Sequence, residues 1–465
     1  MSSTPTSETV PASLDAASIA ARLSRLPAKG IALRIMVATA AAYFFDLYDQ
    51  SAFGIVAPAM RTAEGFSLNN IATLVSVTFT GMLIGALIGG RVADRHGRLP
   101  ILRAGLVLAS LGSLAHVFAS GLIAFGVLRL VTAIGMGIIF VVAMTYLVEV
   151  SPVHRRGSRV ALTAFFGGIG GATVAILGRT IIPLDPHAWR WLFAIGGLGL
   201  LALGLLFRLP ESPLWLLSRG RPEDAERELQ RLERGVEQAV GTALPPAVVK
   251  HSMAAVAAEE ESVQGSGWRA AFRGKLLRPT IILMAIWIVY STVTQVFSVW
   301  LATILQMRGF DSETLLTITM VAIVGAPVGM LLAFTFADRL PRKAQFFGVA
   351  VVAGIVGLLF GIVPAAGVIA VMAFVHFVLI AWFSPVLNAA MMDEYPSALR
   401  STGAGTAYSS GRLWSIVFPF TVAAALHAYG AGIIGWVLLA AWVTIALLGL
   451  GLRGSISSRS AEPSS

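Results

Sequence analysis

Cysteine is absent from the 465 residues. That excludes a disulfide framework, a thiolate metal site and a thiolate nucleophile. Charge is nearly as scarce: Asp, Glu, Lys and Arg make up 12% of the chain, against about 25% in soluble domains. The first 25 or so residues lack the charged start, apolar stretch and cleavage site of a secretory signal. The first apolar run is therefore expected to stay as a permanent helix behind a disordered tail. No metal-protease motif, nucleophile elbow or phosphate loop is present. Gly449-x-Gly451-x-x-Gly454 spells a dinucleotide fingerprint, yet it ends an apolar run with no strand before it and no helix after it, so it is chance. An enzyme is not expected, nor any cofactor. A channel would want a pore loop or a ring of like charges, and neither is apparent.

What is abundant is apolar chain, 56% of residues, with mean hydropathy +0.80. No soluble fold hides that much, so lipid is the natural solvent. A spanning helix needs about 20 mainly apolar residues. Twelve runs qualify: 31–60, 71–90, 101–119, 122–149, 160–180, 190–207, 279–304, 314–336, 345–363, 366–389, 403–427 and 431–452. Glycine is frequent within them, as where helices pack closely in lipid. The fold expected is an all-α membrane protein of twelve transmembrane helices.

The net charge of +10 does not imply nucleic acid, because the arginines fall mainly in short gaps between spans. Arg91, Arg95 and Arg98 fill gap 2–3; Arg155, Arg156 and Arg159 gap 4–5; Arg339, Arg342 and Lys343 gap 8–9. Alternate gaps carry few charges. The basic side is expected to be cytoplasmic, with both termini inside and the chain multi-pass in the plasma membrane. Residues 208–278 stand apart. They hold a charged segment from Arg221 to Glu237 with widely spaced apolar residues, read as short amphipathic helices on the cytoplasmic face.

The chain also repeats. Ala93-Asp94-Arg95-x-x-Arg98 returns as Ala337-Asp338-Arg339-x-x-Arg342, and Glu149-x-x-Pro152-x-x-x-Arg156 returns as Asp393-x-x-Pro396-x-x-x-Arg400. Both recur at one offset, 244 residues. Two loops sharing one offset argue for two six-helix units related by a pseudo-twofold axis along the membrane normal, with a substrate cavity between them. The domains are then a tail at 1–30, a half at 31–207, a linker at 208–278, a second half at 279–452 and a tail at 453–465.

Gly90-Arg91-x-x-Asp94-Arg95-x-Gly97-Arg98 resembles the signature loop of the major facilitator superfamily. Glu149 to Gly157, Pro210-Glu211-Ser212-Pro213 and Trp215-Leu216 are similar to its sugar-porter and metabolite-symporter branches. Asp46-Leu47-Tyr48-Asp49, followed by Gly54-Ile55-Val56-Ala57-Pro58, resembles the first span of the aromatic acid:proton symporters, whose usual Asp-Gly-aromatic-Asp is broken here by Leu47. Trp300-Leu301, Gly309-Phe310 and Gly411-Arg412-Leu413 are similar to the same family. The resemblance covers nearly the whole chain except its tails. It implies proton-coupled uptake of a small organic acid by alternating access, with the proton gradient as energy source. A proton-coupled exporter of drugs or metabolites, and a symporter of a sugar-like, nicotinate-like or cationic metabolite, remain open beside it. Because one polypeptide holds both halves, a monomer is expected.

Charges inside spans are costly, about 2.5–3.5 kcal/mol at a helix centre on insertion scales, so they usually face a cavity or a partner. Asp46 and Asp49 share a helical face in span 1. Two such carboxylates do not both ionise easily, so one is poised to take a proton. In the proton-coupled sugar porters, span 4 brings an Arg to a span 1 Asp that follows a Tyr, and Tyr48-Asp49 with Arg129 match those positions. The resemblance implies that Asp49 accepts the proton and Arg129 is its switch, unless Arg129 binds a substrate carboxylate itself. Arg412, with Tyr408 one turn earlier, is expected to neutralise an anionic substrate. Thr294, Gln295, Ser298 and Asn388 are candidate cavity residues, and Trp287, Trp300, Trp382 and Trp414 candidate aromatic walls. His116 and His376 are read first as packing residues. Gating networks are expected from Asp94, Arg95, Arg98, Glu149, Arg156 and Glu211, and from Asp338, Arg339, Arg342 and Arg400 in the second half.

Overall fold

The computed structural model describes residues 14–247, 271–336, 339–395 and 399–452. The tail carries α1 (Ala16–Ser24), and the first half runs α2 (Ile31–Ala63), α3 (Leu68–His96), α4 (Arg98–Ala115), α5 (Gly121–Glu149), α6 (Arg156–Ile181), α7 (Arg190–Gly196) and α8 (Gly199–Leu206). Two linker helices follow, α9 (Pro213–Ser218) and α10 (Pro222–Val240). The second half is α11 (Leu277–Gln295), α12 (Leu301–Met307), α13 (Ser312–Phe336), α14 (Arg342–Ile362), α15 (Ala366–Asp393), α16 (Arg400–Tyr429) and α17 (Ile433–Gly449). Among the described residues nine segments are long and apolar enough to cross a membrane, and the shorter α7–α8 and α17, with α16, complete twelve spans. Span 6 is α7 and α8 end to end, and span 7 is α11 and α12 joined by a π-helical turn, Val296–Trp300. All-helical structure is what lipid demands, since every backbone polar group must be satisfied within its own segment.

Glycines set how closely the spans approach. A Cβ on Gly85 of α3 would lie 2.1 Å from the Ile134 carbonyl oxygen of α5. At the repeat offset, a Cβ on Gly329 of α13 would lie 2.2 Å from the Val378 carbonyl oxygen of α15. The pseudo-symmetry thus extends from the loops into the helix packing. The halves meet where α3 packs on α16, α6 on α13, and α2 on the π turn and α12.

Gly97 turns α3 into α4 with φ 105°, a conformation glycine adopts without a Cβ penalty. A side chain there would also collide with Glu211 Oε2, 2.6 Å from the Cβ position. The amphipathic α10 buries Ala225, Leu229, Leu232 and Val236, and with them the carboxylate of Glu233, while most of its arginines are exposed. One expectation is corrected. The tail is ordered over α1, which opens on a capping box between Asp15 and Ser18. Arg22 pairs with Glu226 (2.6 Å) and Glu233 (2.7 Å), and Arg25 with Glu233 (2.5 Å), strapping the tail to α10.

Candidate functional site

Arg129 stands in the third turn of α5 and is 1% exposed; Asp49, in the middle of α2, is 3% exposed. Arg129 Nη1 donates to Asp49 Oδ2 at 2.7 Å and Nη2 to the Asp49 carbonyl at 3.3 Å. Its Nε donates to Thr78 Oγ1 of α3 at 3.0 Å, and the guanidinium lies over the Phe53 ring at 4.9 Å. Ser113 Oγ of α4 lies 2.6 Å from Asp49 Oδ1 and 3.0 Å from the Phe193 carbonyl. The pair therefore draws on spans 1 to 4 and 6. A buried charge pair must be closely satisfied to offset its desolvation, and Thr78 and Ser113 provide that. Sequence reading missed both, because a lone hydroxyl in an apolar span gives no signal beyond its polarity. Tyr48 points away and donates to the Leu192 carbonyl at 3.0 Å.

Asp46 is 2% exposed. Among the described residues its Oδ1 has no hydrogen-bond partner. It feels the opposite charge of Arg412 from the other half and the like charge of Asp49 from its own helix. Arg412 has no carboxylate within ion-pair distance among the described residues. Its Nε donates to Tyr408 Oη at 2.8 Å, and the guanidinium lies 5.1 Å from the centroids of both Phe140 and Tyr408. Trp287 meets Tyr408 edge-on at 4.9 Å, Phe140 is parallel to Tyr408 at 6.4 Å, and Tyr43 packs on Phe140 at 6.1 Å. Tyr43 and Phe140 belong to the first half, so an unpaired cation sits in an aromatic surround built by both halves.

The remaining polar candidates divide. Gln295 is buried, with neither end of its amide hydrogen-bonded among the described residues, an arrangement that costs about 1–3 kcal/mol per unmade bond. Asn388 donates to its own helix at Ser384 O, 2.9 Å, and Thr294 to Ser291 O; Ser298 is exposed. Trp300 is fully buried; Trp382 stacks on Phe336, and Trp414 donates to Thr292. His376 stacks on Phe297 at 4.3 Å and accepts from Trp442, and His116 stacks on Phe193.

At the linker end, Arg98 joins Asp94 (2.5 Å) and Glu149 (2.8 Å), while Glu211 accepts from the backbone N–H groups of Arg98, Leu99 and Ser212. Burial pushes the Glu211 carboxyl up, and those backbone donors only partly offset it. At the repeat offset, Arg342 pairs with Asp393. Arg95 is exposed, and its carbonyl accepts from Arg219; Arg339 is exposed too. Asp338 lies outside the described residues, as does the side chain of Arg400. Among the described residues, none of these bonds joins one half to the other. Glu149 takes Arg98, from the start of α4, as its ion-pair partner. The described bonds across the halves sit at the opposite end: Arg179 pairs with Glu313 and donates to Thr317, and Arg61 donates to Gln306, which donates to the Pro58 carbonyl. Sequence reading missed this latch. Its signal was Arg179 closing span 5 and Glu313 opening span 8.

The family model described as Major Facilitator Superfamily matches residues 39–419. YyaJ of Bacillus subtilis (strain 168), provisionally named a metabolite transport protein, is 33% identical over 395 residues, 85% of this chain and 86% of its own. The niacin transporter NiaP of Acinetobacter baylyi is 28% identical over 412 residues, 87% of this chain and 89% of its own. The partially occluded, inward-open xylose transporter XylE of E. coli superposes with a TM-score of 0.72 at 20% identity, over 90% of this chain and 98% of that one. With twelve spans, a twofold repeat and no enzyme among these matches, the chain belongs to the Major Facilitator Superfamily of secondary transporters.

Proposed function

We propose that this transporter is a proton-coupled symporter for a small, flat organic anion. The observation that carries the reading is the buried Asp49–Arg129 pair, with Thr78 and Ser113 on its flanks. Protonating Asp49 removes the charge that holds Arg129 and leaves the guanidinium needing a new anion. Ser113 suits both states: it donates to the carboxylate, or turns its proton to the Phe193 carbonyl and accepts from the protonated acid. Arg412 then receives the substrate carboxylate, with Tyr408, Phe140 and Trp287 against a flat ring. Gln295 offers a donor and an acceptor for a further polar group; Asn388 is a weaker candidate. Niacin, in the name of one relative, is a flat ring bearing a carboxylate.

We take the linker face to be cytoplasmic from its arginine excess, with both termini there, in the plasma membrane. The halves are read as 31–207 and 279–452, the linker as 208–278, and the tails as 1–30 and 453–465. The monomer is the working unit. The latch at the opposite face and the loop networks, Asp338 and Arg400 included, would exchange as the halves rock.

The test is uptake into liposomes under an inward proton gradient, with benzoate-like acids, nicotinate, short dicarboxylates, a hexose and an organic cation. Accumulation of an acid by the wild type, lost in Asp49→Asn while substrate exchange survives, supports the reading. Unchanged accumulation in Asp49→Asn would move coupling to Asp46 or a histidine. Transport of the cation alone, or only against proton flow, would sink the symporter and favour an exporter.

A further inference from the structure

The linker end carries a second polar site that transport does not use. An open cavity of about 920 Å³ lies between the start of α2, the end of span 6 and α10. Five arginines line it: Arg34, Arg208, Arg227, Arg231 and Arg234. No Asp or Glu does. Arg227 pairs with Asp224, and Arg231 with Glu228 at 3.4 Å. Among the described residues, Arg34, Arg208 and Arg234 have no carboxylate partner, and Arg234 donates only to Gln230, at 2.8 Å. Like charges gathered into a concavity repel one another, so the arrangement calls for an anion.

The surroundings say which anion. Arg34 is in the first turn of α2 and Arg208 is two residues past α8, so both stand where apolar spans emerge. On α2, Leu33 just before Arg34 and Val37 one turn after it are 48% and 49% exposed. On span 6, Leu201, Leu205 and Phe207 are 74%, 46% and 62% exposed. The cationic cavity thus opens onto an apolar wall shared by spans 1 and 6. Its roof is held close: Gly30 has φ 57°, and a Cβ there would meet the Gly235 carbonyl at 2.2 Å. A free phosphate would satisfy the arginines but not the wall. We propose that this cavity binds the phosphate headgroup of an anionic glycerophospholipid, with its acyl chains along Leu33, Val37, Leu201 and Leu205. Basic pockets at the end of a helix bundle suit such headgroups.

The test uses the purified full chain in neutral detergent, with lipid adducts read by native mass spectrometry and by thermal shift. Phosphatidylglycerol, phosphatidylcholine and soluble glycerol phosphate are titrated. Phosphatidylglycerol is expected to bind about tenfold more tightly than phosphatidylcholine. The preference should vanish in Arg34→Gln/Arg208→Gln/Arg234→Gln, fall partway in Arg34→Gln and Arg208→Gln singly, and survive in Arg273→Gln/Arg278→Gln, exposed arginines at the far end of the linker that do not line the cavity. The single variants keep the test valid if the triple variant is unstable. Equal binding of the two lipids, or equal loss in the control variant, overturns the proposal. Glycerol phosphate giving the whole effect would make this a soluble-phosphate site and overturn it too. So would phosphatidylglycerol binding that appears only in Glu259→Gln/Glu260→Gln/Glu261→Gln, because the chain's own acidic run would then be the occupant.

Discussion

At the residue scale, the weight falls on two arginines in different situations. Arg129 is fully buried and fully partnered. Removing one member of such a pair costs about 3–5 kcal/mol, because the other is left charged and dry. Arg129→Leu should therefore lower the unfolding temperature in detergent sharply, and adding Asp49→Asn should restore most of it. A double variant no more stable than the single would mean that the ion pair is not the cause. Arg412 has rings but no counter-ion. Truncating a charge that meets a buried charge costs about 2–5 kcal/mol, so Arg412→Gln should raise KM for an acid at least 30-fold. Arg412→Lys should recover only part of this, since the ammonium lacks the planar fork that stacks on Phe140. Uptake kinetics with nicotinate or benzoate check both; an unchanged KM would remove Arg412 from the substrate site.

At the element scale, α1 shows how a local contact overrides a compositional expectation. Its sequence, rich in Ser and Ala, read as tail, but Arg22 and Arg25 reach Glu226 and Glu233 on α10. Burial pushes the Glu233 carboxyl up, yet hydrogen bonds and charge from Arg22 and Arg25 outweigh it and hold it below its usual value; Glu226 is lowered in the same way by Arg22. A depressed carboxylate stabilises the docked helix above its unfolded pKa, about 4.3, and the contribution fades as pH falls through the folded value. Hydrogen exchange over Ala16–Ser24, taken relative to the intrinsic rate at each pH, should be slow from pH 7 to 5 and rise below about 4. Glu233→Gln should speed it at pH 7, and protection that ignores both would discount the strap. Helix spacing is stricter. With Cβ positions about 2 Å from a carbonyl, Gly85→Val and Gly329→Val cannot be absorbed without moving a span, and each should cost at least the 1–3 kcal/mol of overpacking, read by unfolding.

On the scale of the whole molecule, the described cross-half bonds lie at one end, away from the linker, so this conformation is latched there. The latch is weak by design of place: Glu313 is largely exposed, and exposed pairs contribute about 0.2–1 kcal/mol. Glu313→Gln should shift the balance of conformers by no more than about fivefold. Spin labels at Thr62→Cys and Asp311→Cys, simple to install in a chain without cysteine, should then report a larger population of long distances across that face. Arg179→Glu with Glu313→Arg should return it. No shift in Glu313→Gln, or no return in the exchanged pair, would leave the latch to Gly54, whose Cβ position lies 2.7 Å from the Ser298 carbonyl.

What the sequence determined by itself is whatever depends on solvent and on repetition. Twelve spans follow from the length of apolar chain that lipid requires, and two halves follow from loops recurring at one offset, because both properties are written along the chain. The costly residues were legible too: Asp49, Arg129 and Arg412 stand out because charge inside lipid needs a reason. Their partners were not. Ser113 and Thr78 look like any hydroxyl in a span, Asp46 and Asp49 share a helical face yet among the described residues only Asp49 holds an arginine, and Glu149 is met by Arg98 from another helix. Arg179 finds Glu313, and Arg22 finds α10, only once helices far apart in sequence are packed. Pairing is a matter of distances between helices. Those distances are set by glycines meeting carbonyls across tertiary contacts, which no reading along one chain contains.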